Sequence, residues 1–576
     1  MPSPVYWSSF ALALASLSSA QISYPTVNGS NVSWLGVRNA TAEYKYDYFY
    51  GVPFGQAPVG PLRFKPPVEW APTSSRTVVN ATVPGASCEQ GNEGDEVTNV
   101  SEDCLNLNIW RPSNISGKIP VMVWICASLF SEKFPPILTF EYTDGGGFYF
   151  GSTIYYLGDN LVQTSVELNK PVIYVSINYR TGIYGFPPGT EAAAAGALNI
   201  GLKDQRLALE WIQKNIGYFG GDPTKVTLFG NSAGAVSTSY QALYKKGDIG
   251  GVFRSMILES GSPSTINVQS PNNPVLESVF TFVVNATGCN DSSDKFECVR
   301  NAPADVLRQA NKDAIAAPLE FRGVDQGPVA IGPVVAPDDD FLPKRPSEII
   351  HAGEFAKVPF INGAQSDEGT IFVNGEYPET EEDVINWLIS QIPGLYWGIS
   401  NRTAVEELLQ YYPADPAAGS PYNTGNETFG QAAQYKRLTS IVGDLLFQAS
   451  RRDHLQTAAE LGVDAWSYLF TEALPWDAKY GVYHTGEYAF VLNRVRTWEG
   501  MPPGLLALEK PVLDYWLSFV YYLDPNLNRV YVERPFWPKY GSNATVIQFA
   551  SNVTIGTDDY RAGGIDFIMN SPSLYS

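Results

Sequence analysis

Short apolar runs closed by turn residues, and helical patterns with one apolar stripe, punctuate this chain. Val121-Met122-Val123-Trp124-Ile125, Val226-Thr227-Leu228-Phe229 and Pro359-Phe360-Ile361-Asn362-Gly363 read as buried strands. Between Leu202 and Ile216, the residues Leu209, Ile212 and Ile216 fall on one stripe, which predicts a helix laid against a sheet. A second helix is predicted from Ala235 to Leu243. It comes after the Val226–Phe229 strand and Gly230-Asn231-Ser232-Ala233-Gly234.

That strand–turn–helix context is the one in which Gly-x-Ser-x-Gly presents a serine hydroxyl at a sharp turn. Glycines flank the serine because the turn leaves no room for side chains there. The pattern points to nucleophilic chemistry at Ser232, which then needs a base and a group to orient that base.

The N-terminus adds a second kind of apolar run. Phe10-Ala11-Leu12-Ala13-Leu14-Ala15 is closed by Ser18-Ser19-Ala20 and predicts a secretory signal peptide over residues 1–20, although no Lys or Arg precedes the run. The run is too short to span a bilayer, and no later stretch is long and apolar enough. The polar C-terminal residues Met569-Asn570-Ser571-Pro572-Ser573 carry no anchor signal. With no linker and no internal repeat in view, residues 21–576 are expected to form one large domain. Aromatic and hydrophobic content suffices for a large core.

A formal net charge of −21 excludes a nucleic-acid partner, which requires a basic face, and suits a soluble secreted protein. Sequons recur at Asn28, Asn31, Asn39, Asn80, Asn99, Asn114, Asn285, Asn290, Asn401, Asn426, Asn543 and Asn552, so N-linked glycans are expected. Of the five cysteines, Cys88 and Cys104 would close one short loop and Cys289 and Cys298 another, which leaves Cys126 over. No His/Cys cluster has ligand spacing, so neither metal nor cofactor is expected.

The base must come from three histidines. His351 and His454 lie in helical patterns and read as surface residues. His484 lies in the Gly/Tyr-rich turn Tyr480-Gly481-Val482-Tyr483-His484-Thr485-Gly486-Glu487, and loops over a sheet are where catalytic groups sit. For the acid, the strand ending at Gly363 leads into Ala364-Gln365-Ser366-Asp367-Glu368-Gly369. Position alone leaves Asp367 and Glu368 equally eligible.

Longer motifs decide further. Phe219 through Gly234, Glu102-Asp103-Cys104-Leu105-Asn106-Leu107-Asn108, Pro58 through Phe64, Asn178-Tyr179-Arg180 and Asn199 through Gln205 together resemble the type-B carboxylesterase/lipase family, the cholinesterase-like branch of the α/β-hydrolases. The resemblance runs from about residue 35 to past 485. It implies an α/β-hydrolase fold, with a large, mostly parallel central sheet flanked by helices. It implies Ser232 as nucleophile, His484 as base and Glu368 as acid, with Asp367 the rival. It further implies an oxyanion hole from the amides of Gly146, Gly147 and Ala233, and disulfides Cys88–Cys104 and Cys289–Cys298. The activity implied is carboxylic-ester hydrolysis through an acyl-enzyme.

Three departures qualify that expectation. Family members run from the apolar strand straight into a glycine strap, whereas here Cys126 through Thr143 intervene before Asp144-Gly145-Gly146-Gly147-Phe148. The segment contains the unpaired Cys126, and Phe130, Phe134, Ile137, Leu138 and Phe140 would need burial or would crowd the site. It reads as a translated intron. A G-T after the first base of the Cys126 codon and an A-G across Thr143-Asp144 would join the flanks, in frame, as Val-Trp-Ile-Tyr-Gly-Gly-Gly-Phe-Tyr-Phe-Gly. The alternative is a genuine insertion forming a lid or hairpin. Secondly, Asn231 stands where the family usually has glutamate. Thirdly, the Cys88–Cys104 loop lacks both an aromatic residue and a long amphipathic stretch, which favours a plain esterase on soluble esters. The rivals are a lipase acting on aggregated lipid and a catalytically impaired binding protein on the same fold.

Overall fold

The computed structural model describes residues 24–571 and 574, except 75–76, 92–98, 126–145, 317–330, 374–377, 391–398, 400, 476–477, 499 and 532. The expected signal peptide and the segment 126–143 lie outside the described residues.

Fourteen strands are described. β1 (Thr26–Asn28), β2 (Val32–Leu35) and β5 (Thr77–Asn80) make a small sheet. The others are β3 (Val37–Asn39), β4 (Tyr46–Pro53), β6 (Asn106–Pro112), β7 (Ile119–Ile125), β8 (Ile173–Ile177), β9 (Gly221–Asn231), β10 (Ser255–Glu259), β11 (Phe360–Gln365), β12 (Ala465–Phe470), β13 (Thr545–Phe549) and β14 (Thr554–Thr557). They form one sheet in the order β14-β13-β12-β11-β10-β9-β7-β8-β6-β4-β3. From β13 to β8 every neighbouring pair is parallel, and the antiparallel pairs lie at the two edges. This is the α/β-hydrolase architecture that the sequence motifs imply.

β7, β8, β10, β11 and β12 are buried along their whole length, and β9 over its second half, because helices cover both faces. Alternation sorts their side chains. Val121, Val123 and Ile125 of β7 enter one core cluster with Leu202, Leu209 and Ile212 of the helix Ile200–Asn215 and with Val236 and Tyr240 of the helix Ala233–Leu243. Met122 and Trp124 enter the opposite cluster with Val512, Trp516 and Phe519 of the helix Pro503–Tyr522. Each such fully buried aliphatic side chain contributes about 1.5–3 kcal/mol. Both expected disulfides form, Cys88–Cys104 and Cys289–Cys298. Among the described residues, no helix is long and apolar enough to cross a membrane.

Parallel pairing lines up three strand ends. Asn231 on β9 registers with Glu259 on β10, and Glu259 with Gly363 on β11. Chain emerging from β9 and β11 therefore arrives at one end of the sheet, where ligands of open α/β sheets bind.

Candidate active site

Ser232 sits at the turn between β9 and the helix Ala233–Leu243 with φ 55° and ψ −125°, a strained backbone for a residue with a Cβ. Surrounding structure enforces it. The Ser232 amide donates to the Glu259 carbonyl at 2.9 Å, and its carbonyl accepts from Val236 at 3.0 Å. A Cβ at Gly230 would lie 2.7 Å from the carbonyl carbon of Gly234, so the flanking glycines are a steric requirement of the turn. Ser232 itself is half-buried, at the end of a helix that is otherwise buried throughout.

The turn after β11 brings Glu368 to His484. His484 is fully buried, and its Nδ1 lies 2.5 Å from Oε2 of Glu368. The other carboxylate oxygen of Glu368 accepts from the Gln365 amide at 2.7 Å, which fixes the plane of the carboxyl group. Asp367 faces elsewhere. It accepts from the amides of Val482 and Tyr422 at 2.9 Å each and from the hydroxyls of Ser420 at 2.8 Å and Ser366 at 2.9 Å. Burial nevertheless pushes its carboxyl above the usual range. Of the two carboxylates that the sequence left open, Glu368 is the one that touches the imidazole, and Asp367 staples the neighbouring loops. On the other ring edge, Nε2 of His484 has no hydrogen-bond partner among the described residues. That atom is the one able to exchange a proton with a substrate-facing hydroxyl.

Two aromatic rings hold the imidazole. Phe447 lies with its centroid 4.4 Å from that of His484, and Phe372 with its centroid 5.2 Å away. Phe447 belongs to a π-helical segment, Asp444–Gln448, between the helices Tyr435–Gly443 and Ala449–Glu460. From the same segment, the Gln448 side chain donates to the Gln365 carbonyl at 2.7 Å. Neither ring was singled out in the sequence. Phe372 lies four residues after Glu368, but no pattern marks Phe447.

Gly146, Gly147 and Phe148 adopt left-handed φ values of 78°, 49° and 70°. A Cβ at Gly147 would lie 2.3 Å from the Tyr149 ring. The turn is tied on its downstream side. Gly146 accepts from the amides of Tyr149 and Phe150, and Phe148 accepts from Gly182. Ala233 is buried as the first residue of its helix.

The other histidines differ from each other. His351 is exposed and pairs with Asp453 at 2.7 Å. His454 is not the surface residue expected: it is buried, stacks on Phe360 at 4.5 Å, and burial pushes its imidazole down to about 3. Among the described residues, no cluster of His, Cys, Asp and Glu could hold a metal ion.

The Carboxylesterase family profile matches residues 18–567. Secreted lipase 1 of Botryotinia fuckeliana is 33% identical over 96% of this chain and 93% of its own length. Lipase 2 of Geotrichum candidum is 32% identical over 96% and 97%, and secreted triacylglycerol lipase LIP1 of Gibberella zeae is 32% identical over 91% and 87%. The crystal structure of Aspergillus niger EstA matches with a TM-score of 0.79 at 25% identity, covering 96% of this chain and 99% of that one.

Proposed function

The chain belongs to the carboxylesterase family, and from that premise we propose that it is a secreted serine hydrolase that cleaves carboxylic esters through an acyl-enzyme. The observation that carries the reading is the buried Glu368–His484 hydrogen bond beside a strand end that carries a strained, half-buried Ser232. In this scheme Ser232 Oγ attacks the ester carbonyl carbon and passes its proton to Nε2 of His484. The ionised Glu368 holds the other ring nitrogen and stabilises the imidazolium. The amides of Gly146, Gly147 and Ala233 receive the charge that develops on the carbonyl oxygen. His484 returns its proton to the departing alkoxide, and water repeats the sequence to release the acid.

Soluble esters are the substrates proposed, because the Cys88–Cys104 loop carries no long amphipathic stretch. Its relatives favour a second reading, since several are named lipases. Hydrolysis of tributyrin below and above its solubility limit separates the two. A steep rise on crossing the limit supports the lipase, and simple saturation supports the esterase. Secretion accords with the secreted relatives and with the exposure of every sequon asparagine except the half-buried Asn39, and N-glycans are proposed at these positions.

The decisive assay is p-nitrophenyl butyrate hydrolysis by two secreted forms, each with a Ser232→Ala control. One is the chain as it stands, and the other carries a single tyrosine in place of Cys126–Asp144. Activity confined to the shortened form identifies the segment as a retained intron, and equal activity identifies a tolerated loop. Silence in both well-folded forms would favour the binding-protein alternative.

A further inference from the structure

Among the described residues, the two sheets have four free edges. β1 and β5 border the small sheet, and β14 and β3 border the large one. A free edge offers unpaired N–H and C=O groups to any other strand, and natural edges are commonly blunted by lysine or proline. These edges use neither. Thr26–Asn28, Val37–Asn39, Thr77–Asn80 and Thr554–Thr557 contain no Lys or Pro, and their one charged side chain, Arg38, is paired with Asp47 at 2.6 Å. Two of them also present apolar side chains to solvent: Val78 of β5 is 66% exposed and Ile555 of β14 is 38% exposed.

What the four edges share is a sequon. Asn28, Asn39 and Asn80 are the last residues of β1, β3 and β5, and Thr554, the first residue of β14, completes Asn552-Val553-Thr554. Two turn sequons flank the same edges. Asn31 follows β1, and Asn543-Ala544-Thr545 ends on the residue that registers with Thr557 of β14. No interior strand among those described carries a sequon asparagine.

We propose that N-glycans on these sequons guard the sheet edges against pairing with a second copy of this chain. The inference rests on the reading of the chain as secreted and glycosylated. Each linkage forms when Nδ2 displaces the diphosphate from the anomeric carbon of a lipid-linked oligosaccharide. The N–C bond forms, the C–O bond to the diphosphate breaks, and one amide hydrogen leaves as a proton. The local geometry suits that step. Hydroxyls of Ser33, Thr41 and Thr82 donate to Oδ1 of Asn28, Asn39 and Asn80 at 2.8, 2.9 and 2.7 Å, which turns each Nδ2 the other way. The half-buried Asn39 also donates through Nδ2 to the Tyr46 hydroxyl at 3.0 Å, and the hydrogen that glycosylation leaves in place can keep that bond. A partner strand must approach to about 4.8 Å, and a bulky sugar at the strand's end obstructs that approach. The guard matters most where charge no longer keeps copies apart. At neutral pH the net charge of −21 does so, but it vanishes near the isoelectric point of about 4.6.

The test compares two secreted full-length forms with the wild type, after mass spectrometry has mapped the occupied asparagines. The first has bare edges through Ser30→Ala, Ser33→Ala, Thr41→Ala, Thr82→Ala, Thr545→Ala and Thr554→Ala. The second removes the remaining sequons through Ser101→Ala, Ser116→Ala, Thr287→Ala, Ser292→Ala, Thr403→Ala and Thr428→Ala. At pH 4.6 light scattering of the first should grow about tenfold faster than that of the wild type, with intermolecular β-sheet in the infrared spectrum, while the second stays within about twofold. Adding Val78→Lys and Ile555→Lys to the first should slow it again, because lysine blunts an edge without sugar. Where the first form fails to fold, endoglycosidase trimming of the folded second form, whose sugars lie only at the edges, should produce the same scattering. Equal scattering from the two forms, or no change on trimming, would overturn the proposal and leave the sugars as general solubilisers. Bare edge asparagines beside occupied ones elsewhere in the wild type would overturn it alone. A wild type without any glycan would sink the glycosylation reading with it.

Discussion

The turn carrying Asp367 and Glu368 and the turn carrying Gly146 and Gly147 are held in shape by opposite means. The acid turn is pinned by side chains: Asp367 gathers four donors from three segments, and Glu368 is locked between the Gln365 amide and His484. The glycine turn is pinned by backbone conformation. Three consecutive left-handed residues come after residues 126–145, which lie outside those described. A polar staple tolerates the loss of one bond. A conformational staple fails when one Cβ is added. The two turns should therefore break differently.

The largest effect is expected on the acid side. Glu368→Gln keeps the shape but withdraws the charge that steadies the imidazolium, and should lower kcat by roughly 10⁴-fold. Measuring kcat with a soluble ester checks it, and a loss below tenfold would move the acid role to Asp367. On the other side, Gly147→Ala places a Cβ against Tyr149 at a φ of 49° and should cost about 10²–10³-fold, or about 2.7–4 kcal/mol of barrier. Labelling of Ser232 by a phosphonate, compared with hydrolysis, would reveal whether the serine itself stays in place. Asp367→Asn sharpens the contrast. Denaturant unfolding should lose about 1–3 kcal/mol, because the Val482 and Tyr422 amides lose a charged acceptor, while the remaining activity falls far less than in Glu368→Gln.

The smallest effect lies away from both turns. His454 accepts a proton near 3 in the folded chain and near 6.5 when unfolded, so the unfolded state binds more protons between those values. Its contribution to stability is complete above about 6.5 and is lost as pH falls toward 3, by up to about 1.4 kcal/mol per pH unit. Urea unfolding at pH 7 and pH 5 should differ less in His454→Phe than in the wild type. An unchanged difference would refute the assignment.

His454 also marks where the sequence was legible and where it was not. The strands around Val121, Val226 and Phe360 and the helix through Leu209 announced themselves, because an unbroken apolar run or a single stripe has few ways to be buried. His454 comes directly after Arg451-Arg452-Asp453, and charged neighbours suggested a surface. Both arginines are in fact buried, because Asp558, more than a hundred residues later, accepts from each of them. Pairing across that distance leaves no local trace. The same holds at the site. The Gly-x-Ser-x-Gly turn is readable because its sterics are local, whereas the choice between Asp367 and Glu368 depends on how a turn hands two adjacent side chains to different partners. Phe447 was invisible because a π segment moves it off the helical register that pattern reading assumes.

That π segment makes the site depend on chain length. A π turn bonds residue i to i+5 and so holds one residue more than an α turn. Deleting a single residue between Asp444 and Gln448 would return the segment to α geometry and re-aim the side chains of that turn while the helices on either side keep their register. It would carry Phe447 off the imidazole and Gln448 off the Gln365 carbonyl together. The chemistry of this site thus hangs on the length of a helix as well as on the identity of its residues. A gap in an alignment at this place would predict a change in activity that no substitution table could score.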